Sequence, residues 1–103
     1  MQFQKADDSN LKELINSSEL PVAVFFIAKF CPFSKKCQPV VERVAYDKRD
    51  SYKFLKVDIN ESPKSIEQYN IVTIPKLVVF RKGRSPEQLG DLERENELRE
   101  FLC

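Results

Sequence analysis

Six apolar residues in a row, Val22-Ala23-Val24-Phe25-Phe26-Ile27, follow Pro21 in an otherwise mixed chain. A run of that length without a polar face predicts a strand covered on both sides, at the centre of a sheet. Upstream, the cap-type residues Asp7, Asp8 and Ser9 precede Leu11, Leu14 and Ile15 at helical spacing, which predicts a helix over about 9–17. Downstream, Cys37, Val40, Val41, Val44 and Ala45 form one apolar stripe of a second helix over 34–46. Pro39 lies inside it and is expected to bend it near its start. Residues 52–59 read as a strand, and Ser62-Pro63 as an N-cap and first helical residue of a short helix ending near 69–70. A strand over 76–81 closes at Lys82-Gly83, a weaker strand follows over 88–92, and a last helix buries Leu98, Phe101 and Leu102. With an optional leading strand, the order is β-α-β-α-β-α-β-β-α. Alternation of this kind predicts an α/β fold ending in a hairpin, built as one domain over 1–103.

Composition narrows the function more than the fold. Apolar residues make up 42% and charged residues 32% of the 103, a balance that supports a packed core without disulfide staples. Seventeen basic against sixteen acidic residues leave a formal charge of +1, so no nucleic-acid partner is expected from charge. There is no histidine, which removes His-assisted cysteine hydrolases, most zinc sites and any imidazole base. No apolar run approaches a membrane span, and Met1-Gln2-Phe3-Gln4-Lys5 carries no signal-peptide core, so a cytoplasmic protein without a membrane partner is expected. Three unevenly spaced cysteines, 31, 37 and 103, fit that reducing setting better than a disulfide framework.

Cys31 carries the chemistry. It stands where the central strand gives way to a helix, facing unpaired N–H groups and the positive end of the helix dipole. That environment favours thiolate, the nucleophile of disulfide exchange. Three residues on, Ser34 occupies the place where a second thiol would complete a Cys-x-x-Cys pair. Ser34 reads as a helix-start hydroxyl or as a non-oxidisable donor to the Cys31 thiolate. Cys37 does not substitute for the missing thiol. Six helical residues put the α-carbons about 10 Å apart, whereas a disulfide needs them within about 7 Å. It belongs with the core, and Cys103 with an exposed tail. Lys29, Lys35 and Lys36 read either as a solvated face or as further support for the thiolate.

Several segments, taken in order, resemble the thioredoxin family over nearly the whole chain. Phe25-Phe26-Ile27-Ala28-Lys29-Phe30-Cys31 is similar to the family's strand leading into its Trp-Cys-Gly-Pro-Cys site, with Phe30 in the tryptophan position. Pro39 matches the proline of the active-site helix, and Val57-Asp58-Ile59-Asn60 the end of the third strand. Ile71-Val72-Thr73-Ile74-Pro75 resembles the cis-proline loop, and Phe80-Arg81-Lys82-Gly83, Gly90 and 97–102 the closing hairpin and helix. The resemblance implies a thioredoxin fold, a central mixed β-sheet flanked by helices. It also implies that Phe30, Pro32, Phe33, Thr73, Ile74 and Pro75 form the substrate surface around Cys31, with the Ile74 backbone pairing to a substrate peptide.

The departures are as informative. Pro32-Phe33 replaces Gly-Pro, Ser34 replaces the second cysteine, and apolar Phe25 stands where the family buries an acid. Cys31-Pro32-Phe33-Ser34 is similar instead to glutaredoxin sites, including their monothiol forms, although the glutaredoxins' Gly-Gly-x-Asp-Asp-like segment does not follow Pro75. The resulting expectation is a monothiol exchange protein. Cys31 and Ser34 form its catalytic pair, protein thiols or disulfides are its partners, and glutathione is a candidate co-substrate. No bound cofactor and a monomeric state are expected. Two alternatives stand beside it: a non-catalytic binding module of the same fold, and a dithiol thioredoxin whose resolving cysteine was replaced by Ser34 to trap mixed disulfides. An iron–sulfur role is disfavoured by Pro32 and by the missing downstream glycine pair.

Overall fold

The computed structural model describes residues 3–103. Its elements in chain order are β1 (Phe3–Ala6), α1 (Leu11–Ser17), β2 (Val22–Ile27), α2 (Pro32–Asp47), β3 (Lys53–Asp58), a 3₁₀ turn (Ile59–Glu61), α3 (Pro63–Gln68), β4 (Lys76–Phe80), β5 (Glu87–Leu89) and α4 (Glu95–Phe101). The strands form one sheet in the order β1-β3-β2-β4-β5. β3 pairs in parallel with β1 and β2, and β4 runs antiparallel to β2 and β5. This is the expected mixed α/β sheet.

β2 sits at the centre because all six of its residues are buried. Its odd and even positions feed two separate cores. On one face Ala23, Phe25 and Ile27 pack with Cys37, Val41, Val44 and Ala45 of α2 and with Leu98 of α4. On the other, Val22, Val24 and Phe26 pack with Leu11 of α1, with Leu55 and Val57, and with Ile71. The two helices lie on opposite faces because the chain moves one way across the sheet from β1 to β2 and back again from β2 to β3, each crossover keeping its usual right hand. Ion pairs join α4 to α2 above this face: Glu95 accepts from Arg43 of α2 at 2.6 Å, and Arg99 reaches Asp47 at 2.8 Å.

Three local expectations shift. α2 begins at Pro32 rather than Ser34, because proline at the first helical position gives up an N–H that would have had no partner. Cys31 therefore becomes the N-cap residue itself. As expected, Pro39 lies inside α2, where it removes the bond that would have reached the Lys35 carbonyl. At α3, Ser62 is the N-cap by position, yet its side chain makes no cap bond and its buried hydroxyl has no partner among the described residues. The cap comes from far away in sequence: the Asp8 carboxylate accepts from the backbone N–H of Lys64 at 3.0 Å and Ser65 at 2.7 Å, and from the Ser65 hydroxyl at 2.7 Å. Asp8, expected at the start of α1, instead closes α3. The weak strand expected over 88–92 is Glu87–Leu89, and Gly90 ends it.

Removing the phenyl of Phe25, which is fully buried against Phe3 with ring centroids 5.6 Å apart, leaves a cavity that the two-faced strand cannot close. Phe25→Ala is expected to lower unfolding free energy by about 3–5 kcal/mol in urea titrations. The Asp8 cap has a pH signature. Burial alone would raise its pKa, but the Ser65 hydroxyl and the Lys64 and Ser65 amides outweigh it and hold the carboxyl below its usual value. A folded pKa below the unfolded one stabilises above the unfolded value, about 3.9, and that contribution is lost as pH falls through the folded one. Asp8→Ala should thus be less stable than the parent at neutral pH, with the two urea midpoints converging in acid.

Candidate functional site

Cys31 follows the carboxyl end of β2, the point where successive crossovers reverse direction, which is where open α/β sheets place their ligands. Its backbone is extended, φ −81° and ψ 121°, and its carbonyl accepts the first bond of α2 from the Lys35 N–H at 3.1 Å. The side chain is half-buried and not in a disulfide. The thiol pKa is lowered: the Ser34 N–H is the largest cause, partial burial opposes it, and the Phe33 N–H and the Ser34 hydroxyl add to the lowering. No lysine is among the causes, so Lys35 and Lys36 do not supply the thiolate's stabilisation. Lys36 instead faces Glu93 at 3.5 Å, and Lys29 lies 6.0 Å from the centre of the Phe30 ring.

Ser34 is not an exposed cap hydroxyl. It is 2% exposed, and its Oγ accepts from the Ala28 N–H at 3.3 Å. With one lone pair taken by the chain entering the loop, the O–H is left to donate toward Cys31. Ser34 thus ties both ends of the Ala28–Ser34 loop together. Cys37 is a core thiol, as expected: it is 1% exposed, donates to the Ser34 carbonyl at 3.5 Å, and has a pKa pushed up to about 11, burial being the main cause. Cys103 is exposed.

Antiparallel pairing of β2 with β4 opposes Phe26 to Lys76, so the loop before β4 returns to the end of the sheet from which Cys31 departs. In that loop the Ile74–Pro75 peptide bond is cis. Phe33 and Ile74-Pro75 wall one hollow of about 220 Å³ together with Cys37 and Gly90-Asp91-Leu92-Glu93. Cys31 is not among its lining residues; Phe33 links it to them along the chain. Phe30 is 80% and Phe33 68% exposed, Pro32 and Thr73 are exposed, and Ile74 and Pro75 are half-buried. Two contributors were not singled out from the sequence: Val72, 81% exposed within the same loop, and the 90–93 segment that completes the wall. Val72 was legible only as an apolar member of the proline loop, with nothing in the sequence to mark its exposure. The 90–93 segment reaches the site through the β4–β5 hairpin, which no local pattern reports.

The behind-the-site position is apolar. Phe25 is fully buried and its register partner on β3 is Lys56, so the strand position that would carry a buried acid behind the site carries a phenyl ring. The site therefore offers one activated sulfur, one fixed hydroxyl and an apolar surface.

Comparison with known proteins decides the family. The thioredoxin family model matches residues 2–103. The chain belongs to the thioredoxin family. It is 32% identical over 95 residues to a thioredoxin of Rickettsia prowazekii, covering 92% of this chain and 90% of that one. Against a thioredoxin of Synechocystis it is 34% identical over 80 residues, covering 78% and 75%. The crystal structure of chloroplastic thioredoxin z superposes with a TM-score of 0.84 at 20% identity, over 99% of this chain and 92% of that one, a likeness of fold. Family membership implies thiol–disulfide redox chemistry on protein disulfides. Among the described residues, no helix is long and apolar enough to cross a membrane.

Ser34→Ala is expected to raise the Cys31 pKa, because one donor to the thiolate is lost while the amides remain. Alkylation rate against pH reads this directly. An unchanged midpoint would mean that the Ser34 hydroxyl does not face the sulfur. In the same experiment Cys37 should stay unmodified near neutral pH while Cys31 reacts.

Proposed function

We propose that the chain exchanges disulfides through Cys31 alone. The Cys31 thiolate attacks one sulfur of a substrate disulfide, forming a mixed disulfide and releasing the other sulfur as a thiolate. The bond that forms and the bond that breaks are both S–S, so no net oxidation occurs in this step. In a dithiol protein the second cysteine would then expel the substrate. Ser34 has no sulfur with which to do so, and an external thiol must attack the mixed disulfide and regenerate Cys31. Glutathione is the thiol we assign to that step, as co-substrate rather than bound cofactor, in a reducing cytoplasmic setting and with the protein acting as a monomer. The observation that carries this reading is the pairing of a thiolate-stabilising N-cap with a buried, anchored serine and an apolar Phe25.

Phe30, Phe33, Val72 and the Ile74-Pro75 loop supply the surface for the substrate chain. An extended peptide would run along the Ile74 backbone while its apolar side chains cover the rings. The breadth of that exposed apolar surface also favours a second reading, a docking module that holds a partner without turnover. A module needs no exchange, so the two separate on chemistry.

Incubation with oxidised glutathione should add one glutathione to Cys31, mapped by mass spectrometry, and added reduced glutathione should remove it. Modification at Cys103 alone, with Cys31 untouched, would favour the docking module. Ser34→Cys should replace the adduct with an internal disulfide between Cys31 and the introduced thiol, and raise insulin reduction in a thioredoxin-reducing system. An adduct that persists unchanged on that variant would sink the monothiol assignment.

A further inference from the structure

The opposite end of the molecule carries charge that no ion pair among the described residues neutralises. Two hollows meet there, sharing Ser18 and Leu20 of the turn that leads into β2. One, of about 500 Å³, is bordered by Arg49 and Lys53; the other, of about 290 Å³, by Lys82 and Arg84 of the β4–β5 turn. Among the described residues, four of the six arginines hold carboxylates: Arg43, Arg81, Arg94 and Arg99. The two that do not are Arg49 and Arg84, one on each side of Leu20. Lys48, Lys53 and Lys82 are likewise absent from the ion pairs of the described residues.

Arg49 is also held in place. Its Nη1 donates to the Tyr46 carbonyl at 2.7 Å, and its guanidinium lies 4.0 Å from the centre of the Tyr46 ring. A planar guanidinium fixed over a ring, with donors still unused, is prearranged to take a carboxylate. Between the two arginines Leu20 is 41% exposed, and Tyr46, on the Arg49 side, is 53% exposed. Cationic groups flanking an apolar contact match a segment that carries acids on either side of an apolar residue. A continuous phosphate backbone fits less well, because it brings no apolar side chain to cover Leu20.

We propose that this basic end docks an acidic protein segment, its carboxylates on Arg49 and Arg84 and an apolar side chain on Leu20. The surface precedes the amino end of β2, and Cys31 follows the carboxyl end. Six strand residues separate the two by about 20 Å, so both ends are open to occupation at once. The partner docked here is thus a tether or scaffold and not the disulfide being exchanged.

The probe is a short fluorescein-labelled peptide of mixed Glu and Leu, titrated into the full chain with anisotropy and amide-shift readouts. Binding should move the resonances of 18–21, 48–53 and 81–84, leave the Cys31 region in place, and weaken as salt rises. Arg49→Glu with Arg84→Glu should weaken it by about tenfold or more, and Leu20→Ser should weaken it without changing the salt dependence. Alkylation of Cys31 should be unaltered in all variants, which shows that each is folded. Shifts that map elsewhere, no measurable binding, or affinity indifferent to the arginine reversals would overturn the proposal. So would equal or tighter binding of a single-stranded oligonucleotide or of phosphatidylserine vesicles, each run in parallel.

Discussion

β2 has no solvent face, and the rest of the molecule takes its position from that constraint. A strand buried on both sides must have helices above and below it and strands to left and right. α1 and α2 supply the first, β3 and β4 the second. The same burial fixes the register, since a slip of one residue would exchange the Ala23, Phe25, Ile27 set with the Val22, Val24, Phe26 set and mismatch both cores. The reactive sulfur follows the end of a strand whose six residues are all buried. Only four residues separate Ile27 from the helix that polarises Cys31.

Within that frame the site is built chiefly from backbone. The amides of Phe33 and Ser34 act on the sulfur because α2 starts where proline makes a start easy, and the serine hydroxyl, which accepts from the Ala28 N–H, adds to their effect. Lysines near the sulfur in sequence are paired elsewhere or face solvent. A thiolate stabilised by helix amides is insensitive to salt compared with one stabilised by surface charge, because the amides are fixed dipoles beside the sulfur and not mobile ions.

Much of this was legible in the residues themselves, and the limits have physical causes. The unbroken run of β2 and the stripe of α2 announce themselves by periodicity, and Cys31 at their junction follows from them. Periodicity is silent on capping between distant segments. Asp8 looks like the start of the helix that follows it, and only the folded chain reveals that its carboxylate is taken by α3, 57 positions from Ser65. Ser62 shows the converse: a residue type suited to capping whose hydroxyl has no partner among the described residues, while Asp8 holds the first free amides of the helix. The 90–93 wall of the hollow beside the site was hidden for the same reason. Its placement depends on a hairpin turn at Gly83, whose φ of 75° suits glycine, and not on any pattern within 90–93.

The long-range cap has a dynamic consequence. α3 has only six residues, too short to persist on its own, and it immediately precedes the 71–75 loop at the nucleophile's end of the sheet. Asp8, two residues past the end of β1, ties the turn after that edge strand to the first turn of α3. Fraying of the first strand would release the α3 amides to exchange with solvent. Solvent exchange at the Lys64 and Ser65 amides is thus expected to follow the local stability of the chain's amino-terminal strand, which lies at the sheet edge two strands away from β2.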